Sequence, residues 1–486
     1  MSWIRALTCA ALACTAPAAL VAAPQRHVAV TASNIAGLAD FVDGLVAGQI
    51  ASREVAGAVV TVVANGRVLF THGYGLANIA TRTPVDAQHT LFRPGSVSKL
   101  FTWTALAQQI EQGRIDLDAD VNRYIDFKIP DFQGAPIRVR DLMSHSPGMS
   151  DVSGIIVASP DKLTPYQQFL KTHVPARLWP AGTEIAYSNY GAALAGYIVE
   201  RVSGEPFADY VERHIFRPLG MNSTTFREPL PAALEPHMAA GHRLVDGQLV
   251  PKSYEYVSSI MPAGSAAATA PDMARFMLAM LSGGALDGKR ILRPATVALL
   301  ERNSLANVPG LPGIAHGYLV YREAGPRLVG HAGNTGDFHS DLILAPEKGI
   351  GFFVSFTGGQ GSSIARTELR DALIGRLFPQ TPAPLYTGSA PAPPLGAYRD
   401  NRRDYSRPAN PEHDLKVTMP SPRVVLVTAE GIKTAYEQIG PLEYQQITGA
   451  RAGGPYDRLK FYGGPKDWRF SLASHPYETY HLVKAD

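Results

Sequence analysis

The stretch Arg93-Pro94-Gly95-Ser96-Val97-Ser98-Lys99 runs straight into Leu100-Phe101-Thr102-Trp103-Thr104-Ala105-Leu106-Ala107, and its reading decides the fold. A serine followed three residues later by a lysine stands where a helix should begin. Side chains three apart share a helical face, so Ser96 and Lys99 meet if Ser96 opens the helix. A serine hydroxyl becomes an effective nucleophile once a base takes its proton, and a lysine serves as that base only when burial lowers its pKa. The residues after Lys99 are apolar or small almost all round, the pattern of a helix inside a domain, so burial of Lys99 is the expectation. The free N–H groups and positive dipole end of such a helix also suit an oxyanion forming at the serine.

The four-residue pattern does not suffice, because Ser159-Pro160-Asp161-Lys162 repeats it. There the proline suits the first helical position and the serine reads as an N-cap, a structural arrangement. Taken singly, Ser96 could equally cap its helix and Lys99 could be a solvated first-turn residue. The surrounding chain has to separate the two copies.

Upstream of Ser96, a helical lead-in over residues 35–50 precedes two apolar, β-branched segments, 58–64 and 67–70, that flank Asn65-Gly66. That dipeptide is the strongest short hairpin signal. Downstream, residues 138–143 suggest a short helix and 190–202 a longer one that stops at Gly204; 273–281 reads as a buried helix. Strands return over 317–321, 341–344 and 351–356, and an amphipathic helix over 364–378 closes the unit. Strands at both ends around a helical middle predict an α+β domain whose antiparallel sheet is assembled from its two ends.

Residues 379–394 are rich in proline and read as a semi-extended linker. Residues 395–486 change character, with short strand candidates at 423–428, 442–448, 458–462 and 480–483 and turns between them, the pattern of a small all-β barrel or sandwich. No internal repeat is present.

The 486 residues carry a formal net charge of +3, with no basic cluster to suggest nucleic acid. After Arg5, residues 6–23 are almost wholly alanine, leucine, valine and other small residues, a secretory signal peptide by pattern; this predicts export to the periplasm or medium, with cleavage near Ala22 or Ala23 and no remaining membrane span. Both cysteines, Cys9 and Cys14, lie inside this leader, so the mature chain is expected to have neither a disulfide nor a cysteine nucleophile. The expected organisation is a leader over 1–23, a catalytic domain over 24–378, a linker over 379–394 and a β-domain over 395–486.

Two further motifs join Ser96 and Lys99. Tyr187-Ser188-Asn189 precedes the helix at 190, and His331-Ala332-Gly333-Asn334 precedes the strand at 341. With these residues in this order, the chain resembles the serine β-lactamase and penicillin-binding-protein superfamily, in particular its class C and D-aminopeptidase or esterase-like branch. The resemblance covers roughly residues 35–378 and includes connecting text: Asp116-Leu117-Asp118-Ala119-Asp120-Val121, Asp141-Leu142-Met143-Ser144-His145-Ser146-Pro147-Gly148 and Phe216-Arg217-Pro218-Leu219-Gly220-Met221. The C-terminal part is similar to the lipocalin-like barrels appended to some of these hydrolases, and its 396–403 segment could shape the mouth of the cleft.

The resemblance implies a β-lactamase/transpeptidase-like fold and an acyl-enzyme mechanism without metal or cofactor, on a small-molecule or peptide substrate. Ser96 would attack an ester, amide or lactam carbonyl. Lys99 and Tyr187 would share the base and proton-return roles, with Tyr187 the favoured base if Lys99 and His331 lower its pKa. Asn189 would hold the substrate, and the backbone N–H groups of Ser96 and Asn334 would form the oxyanion hole beside Gly333. Many relatives carry Lys-Thr-Gly or Lys-Ser-Gly where this chain has His331-Ala332-Gly333, and the lysine helps to bind a substrate carboxylate. Its absence favours peptidase, amidase or esterase action over β-lactamase or DD-carboxypeptidase action; a catalytically dead scaffold would need a blocked cleft. There is no Gly-x-Ser-x-Gly elbow, His-Glu-x-x-His pair or phosphate loop to support another enzyme class. The oligomeric state stays open.

Overall fold

A computed structural model describes residues 35–52, 55–323 and 325–483; the expected leader lies outside the described residues. Helix α1 (Leu38–Ala51) leads into β1 (Gly57–Ala64) and β2 (Arg67–Asn78). Asn65 and Gly66 both adopt positive φ, 53° and 75°, as the tight turn between these strands requires. The Ser96 segment then forms a 3-10 turn, Gly95–Ser98, followed by α2 (Lys99–Glu111). The helical region includes α3 (Asn189–Ser203) and α4 (Ala270–Leu281). Strands β3 (Leu319–Arg322), β4 (Leu328–Asn334), β5 (Phe338–Ala345) and β6 (Ile350–Thr357) follow, then α5 (Gln360–Leu377).

These strands form a nine-stranded sheet in the order Thr83–Pro84, β2, β1, β6, β5, β4, β3, Ile314–Ala315, Asn303–Leu305. Strand β1 pairs antiparallel with β6 from Gly57↔Thr357 to Ala64↔Ile350, so the two ends of the domain meet at the centre of the sheet. Every residue of β1, β5 and β6 is buried. Alternation along the strand assigns the faces. Val60 and Val62 join Val42 and Val46 of α1 and Leu369 and Leu373 of α5. Val59 and Val63 join α4 and the helical region around α2. Helix α2 is buried from Lys99 to Gln109, as its all-round apolar sequence predicts.

Residues 378–395 hold no regular structure. Beyond them a closed eight-stranded antiparallel barrel forms in simple meander order: β7 (Gly396–Asp400), β8 (Leu415–Ser421), β9 (Val424–Ala429), β10 (Ile432–Gly440), β11 (Glu443–Gln446), β12 (Arg458–Gly464), β13 (Asp467–Leu472) and β14 (Tyr480–Leu482). Its interior is aromatic, with Tyr398 against Phe470 at 4.8 Å and Tyr444 against Phe461 at 5.9 Å. The sequence reading missed β7, β8, β10 and β13, and also an exposed hairpin, Gly241–Val245 with Gln248–Lys252. Among the described residues, no helix is long and apolar enough to cross a membrane.

Candidate active site

The serine and lysine do not sit in an α-helical turn as their spacing suggested. Gly95, at φ +54°, opens a 3-10 turn in which residues three apart eclipse one another. Ser96 therefore stands directly over Lys99, with Lys99 Nζ 2.9 Å from Ser96 Oγ. From residue 91 to residue 100, Ser96 alone is not buried. It presents its hydroxyl to the cleft while its partner stays inside.

Lys99 is fully buried and makes two more bonds, to Asn189 Oδ1 at 2.8 Å and to the carbonyl of Ala263 at 2.6 Å. Burial holds its amine well below the ordinary lysine range, and the Arg402 guanidinium lowers it further. Lys99 Nζ donates toward Ser96 Oγ, Asn189 Oδ1 and the Ala263 carbonyl; in its neutral form it would donate to two of these oxygens and keep a lone pair for the Ser96 O–H. Among the described residues no carboxylate forms an ion pair with this lysine; Asp151 opposes the shift without cancelling it.

Tyr187 enters from the loop before α3, whose N-terminus is capped by Ser188 Oγ accepting from Gly191 N–H at 2.9 Å. The Tyr187 ring centroid lies 4.8 Å from Lys99 Nζ, and its hydroxyl is buried with no well-formed hydrogen bond among the described residues. Burial pushes this phenol above its usual value, although Arg402 and the Ser96 hydroxyl pull the other way. His145 stacks on the ring at 4.2 Å and accepts from the Ser188 N–H at 3.3 Å through Nδ1. His145, which the sequence offers only as connecting text, fixes the orientation of Tyr187.

His331 lies on β4, 6.0 Å from Tyr187 between ring centroids. It is buried and bonded through Nδ1 to the carbonyl of Ala332 at 2.5 Å. Burial, with the neighbouring Lys99, pushes its pKa down to about 3. A neutral imidazole cannot draw down the Tyr187 pKa by charge, so the expected help from His331 is absent.

Strand β4 closes the site from the other side. A Cβ on Gly333 would lie 1.9 Å from the carbonyl oxygen of Pro94 and 2.9 Å from the Ser96 nitrogen, so only glycine lets the strand approach the serine turn. The Thr335 N–H donates to Phe338 at 2.9 Å, and antiparallel alternation then makes Asn334 and His339 a pair whose backbone groups turn away from β5. The paired part of β3 reaches β4 only as far as Gly330. The Asn334 N–H thus faces the open edge occupied by Pro94, Gly95 and Ser96, with its nitrogen 2.8 Å from where a Gly95 Cβ would stand. The Ser96 N–H belongs to the first turn of its helix, where donors lack an intrahelical partner.

Ser96, Lys99, Tyr187, Asn189, His331, Gly333 and Asn334 are therefore brought to one place. Ser159 is not: its 3-10 turn, Pro160–Lys162, contains no buried residue.

The beta-lactamase family model matches residues 42–375. The chain belongs to the beta-lactamase family. It is a serine hydrolase. Among its relatives, the D-alanyl-D-alanine-carboxypeptidase/endopeptidase AmpH of Escherichia coli is 26% identical over 313 residues, which cover 62% of this chain and 78% of AmpH. Among solved structures, the octameric penicillin-binding protein homologue from Pyrococcus abyssi aligns with a TM-score of 0.61 at 22% identity, over 91% of this beta-lactamase-family chain and 99% of that one. The D-amino acid amidase of Ochrobactrum anthropi SV3 aligns with a TM-score of 0.58 at 25% identity, over 70% and 97% respectively.

Proposed function

We propose that this protein is an exported hydrolase of amide or peptide bonds, acting through an acyl-enzyme on Ser96. The observation that carries the reading is the fully buried Lys99 amine, held between Asn189 Oδ1, the Ala263 carbonyl and Ser96 Oγ. Lys99 in its neutral form takes the Ser96 proton as the oxygen attacks the substrate carbonyl. The oxyanion forms between the N–H groups of Ser96 and Asn334, a contribution of about 3 kcal/mol per donor in related chemistry. Tyr187, kept as a phenol by burial, hands a proton to the departing amine and is reprotonated from Lys99. Water then attacks the ester carbonyl, the same groups run in reverse, and Ser96 is regenerated with the carboxylic acid product. With its oxygen occupied by Lys99, the Asn189 amide offers its NH2 group to the substrate.

The activities carried in the names of AmpH, a D-alanyl-D-alanine-carboxypeptidase/endopeptidase, and of the D-amino acid amidase support amides and peptides containing D-residues. A neutral His331 in place of the lysine common in relatives argues against carboxylate-directed β-lactamase or DD-carboxypeptidase action as the main activity. Ser96 remains partly exposed, which leaves a scaffold reading without its blocked cleft. Export rests on the leader pattern, and N-terminal sequencing of the periplasmic or secreted protein tests it. For the chemistry, a fluorescent phosphonate should label Ser96, as read by peptide mapping. Hydrolysis should be strongest with D-amino-acid amides in a panel that includes p-nitrophenyl esters and nitrocefin. Equal labelling of the Ser96→Ala variant would overturn the assignment.

A further inference from the structure

The barrel reaches into the active site. Its β7–β8 loop carries Arg402, whose guanidinium carbon lies 4.4 Å from the centroid of the Tyr187 ring. Its β13–β14 loop carries Tyr477, whose carbonyl accepts the Tyr187 backbone N–H at 3.1 Å and whose ring sits 5.8 Å from that of Tyr187. The loops are fastened to the hydrolase domain close by. Asn401 donates to the Ile185 carbonyl at 2.8 Å, and the Asp151 N–H donates to the Arg403 carbonyl at 3.0 Å. The Arg402 fork is itself held, 3.3 Å from Asp151 and 3.6 Å from Glu478.

This arrangement rules on what Arg402 can do. A guanidinium meant to capture a substrate carboxylate should offer its fork to the cleft, but both sides of this one already face carboxylates. What remains is its charge, placed on the same aromatic ring that lies 4.8 Å from Lys99 Nζ. Two cations around one ring repel, and arginine does not give up its proton. The lysine does.

We propose that Arg402 is a positioning residue of the catalytic centre, a fixed charge that the barrel lends to the Ser96–Lys99 pair so that the lysine stands ready as the base. The inference rests on the acyl-enzyme reading above. The direction of the Lys99 shift agrees, since Arg402 is the largest influence on it after burial. Asp151 opposes it at Lys99 and at Tyr187, and Tyr477 raises Tyr187 as well. His145 and His331 also face the pair; burial keeps both neutral, with Lys99 and Arg402 adding to the effect. The Arg402 side chain is 31% exposed, so solvent screens part of its field.

The test is the pH profile of kcat/KM on a D-amino-acid amide or p-nitrophenyl ester, in full-length protein. Removing a cation raises the pKa of every group near it, so Arg402→Met should move the acid limb up by about one pH unit, a roughly tenfold loss below that limb. Arg402→Lys should restore the limb. Asp151→Asn removes the opposing anion and should move the limb down. Loosening of the barrel would not move the two variants in opposite directions. An unmoved limb in Arg402→Met, a shift of both variants the same way, or a loss confined to KM would overturn the inference while leaving the Ser96 mechanism intact. Wild-type protein that no phosphonate labels at Ser96 would instead sink the acyl-enzyme reading, and this inference with it.

Discussion

Replacing Gly333 with alanine should abolish most activity while leaving the protein folded. The added methyl would start 1.9 Å from the Pro94 carbonyl oxygen and 2.8 Å from the Val97 nitrogen, both backbone atoms that cannot rotate away. Ordinary contact begins near 3.4 Å, so β4 and the serine turn must part by about 1.5 Å. That distance takes the Asn334 N–H out of reach of an oxyanion held by Ser96. Loss of one such donor costs about 100- to 1,000-fold in kcat, and misplacement of the remaining groups by about 1 Å can cost a comparable factor. The measurement is stopped-flow acylation by a p-nitrophenyl ester together with phosphonate labelling of Ser96, with circular dichroism as the control for folding. A folded Gly333→Ala protein within fivefold of wild-type acylation would refute the claim that close approach of β4 builds the oxyanion site.

Lys99 works as a base only when neutral; because burial first and Arg402 second lower its pKa, activity should persist at neutral pH and vanish as pH falls through the lowered value. An acid limb at or above pH 10 in the kcat/KM profile would contradict this, and Lys99→Ala should lose about 100- to 10,000-fold. Asn189→Asp sets an anion where an amide oxygen now lies 2.8 Å from Lys99 Nζ; the lysine pKa should rise and the acid limb with it, so activity at pH 7 falls and partly recovers in alkaline buffer. Tyr398→Ala empties a fully buried site in the barrel core and should cost about 3–5 kcal/mol of barrel stability by denaturant titration, with a parallel loss of hydrolysis as the Arg402 and Tyr477 loops come free.

What the sequence disclosed about this fold follows from the range of the forces involved. The β1–β2 hairpin is written in two residues, Asn65 and Gly66, while β6 and the second half of β5, from Leu342 to Ala345, are written in largely apolar runs. The barrel was only half legible because segments such as Asp467-Trp468-Arg469-Phe470 are buried on one side and charged on the other, and gain strand character only when closure supplies neighbours. The site divides in the same way. Ser96, Lys99, Tyr187 and Asn189 are marked by spacing and order. The Ala263 carbonyl, 164 residues from Lys99, has no side-chain signature, and within the 396–403 segment expected at the cleft mouth nothing in the sequence singles out Arg402. The protonation pattern also lies beyond spacing: burial moves Lys99 down and Tyr187 up, which transfers the proposed role of base from the tyrosine to the lysine.

The two serine–lysine copies show where the specificity of the motif resides. Both serines adjoin a 3-10 turn, Gly95–Ser98 and Pro160–Lys162. Ser159, however, is extended at φ −145° and ψ 138° and stands outside its turn, with Lys162 exposed at the other end. Ser96 lies inside its turn, and the next residue after that turn begins a buried 13-residue helix. The left-handed Gly95 sets that geometry, and Gly333 allows a strand from the far end of the domain to press against it. A serine three residues before a lysine therefore encodes nothing by itself; the site proposed for the nucleophile exists because two glycines let a turn and a strand approach more closely than any side chain would permit.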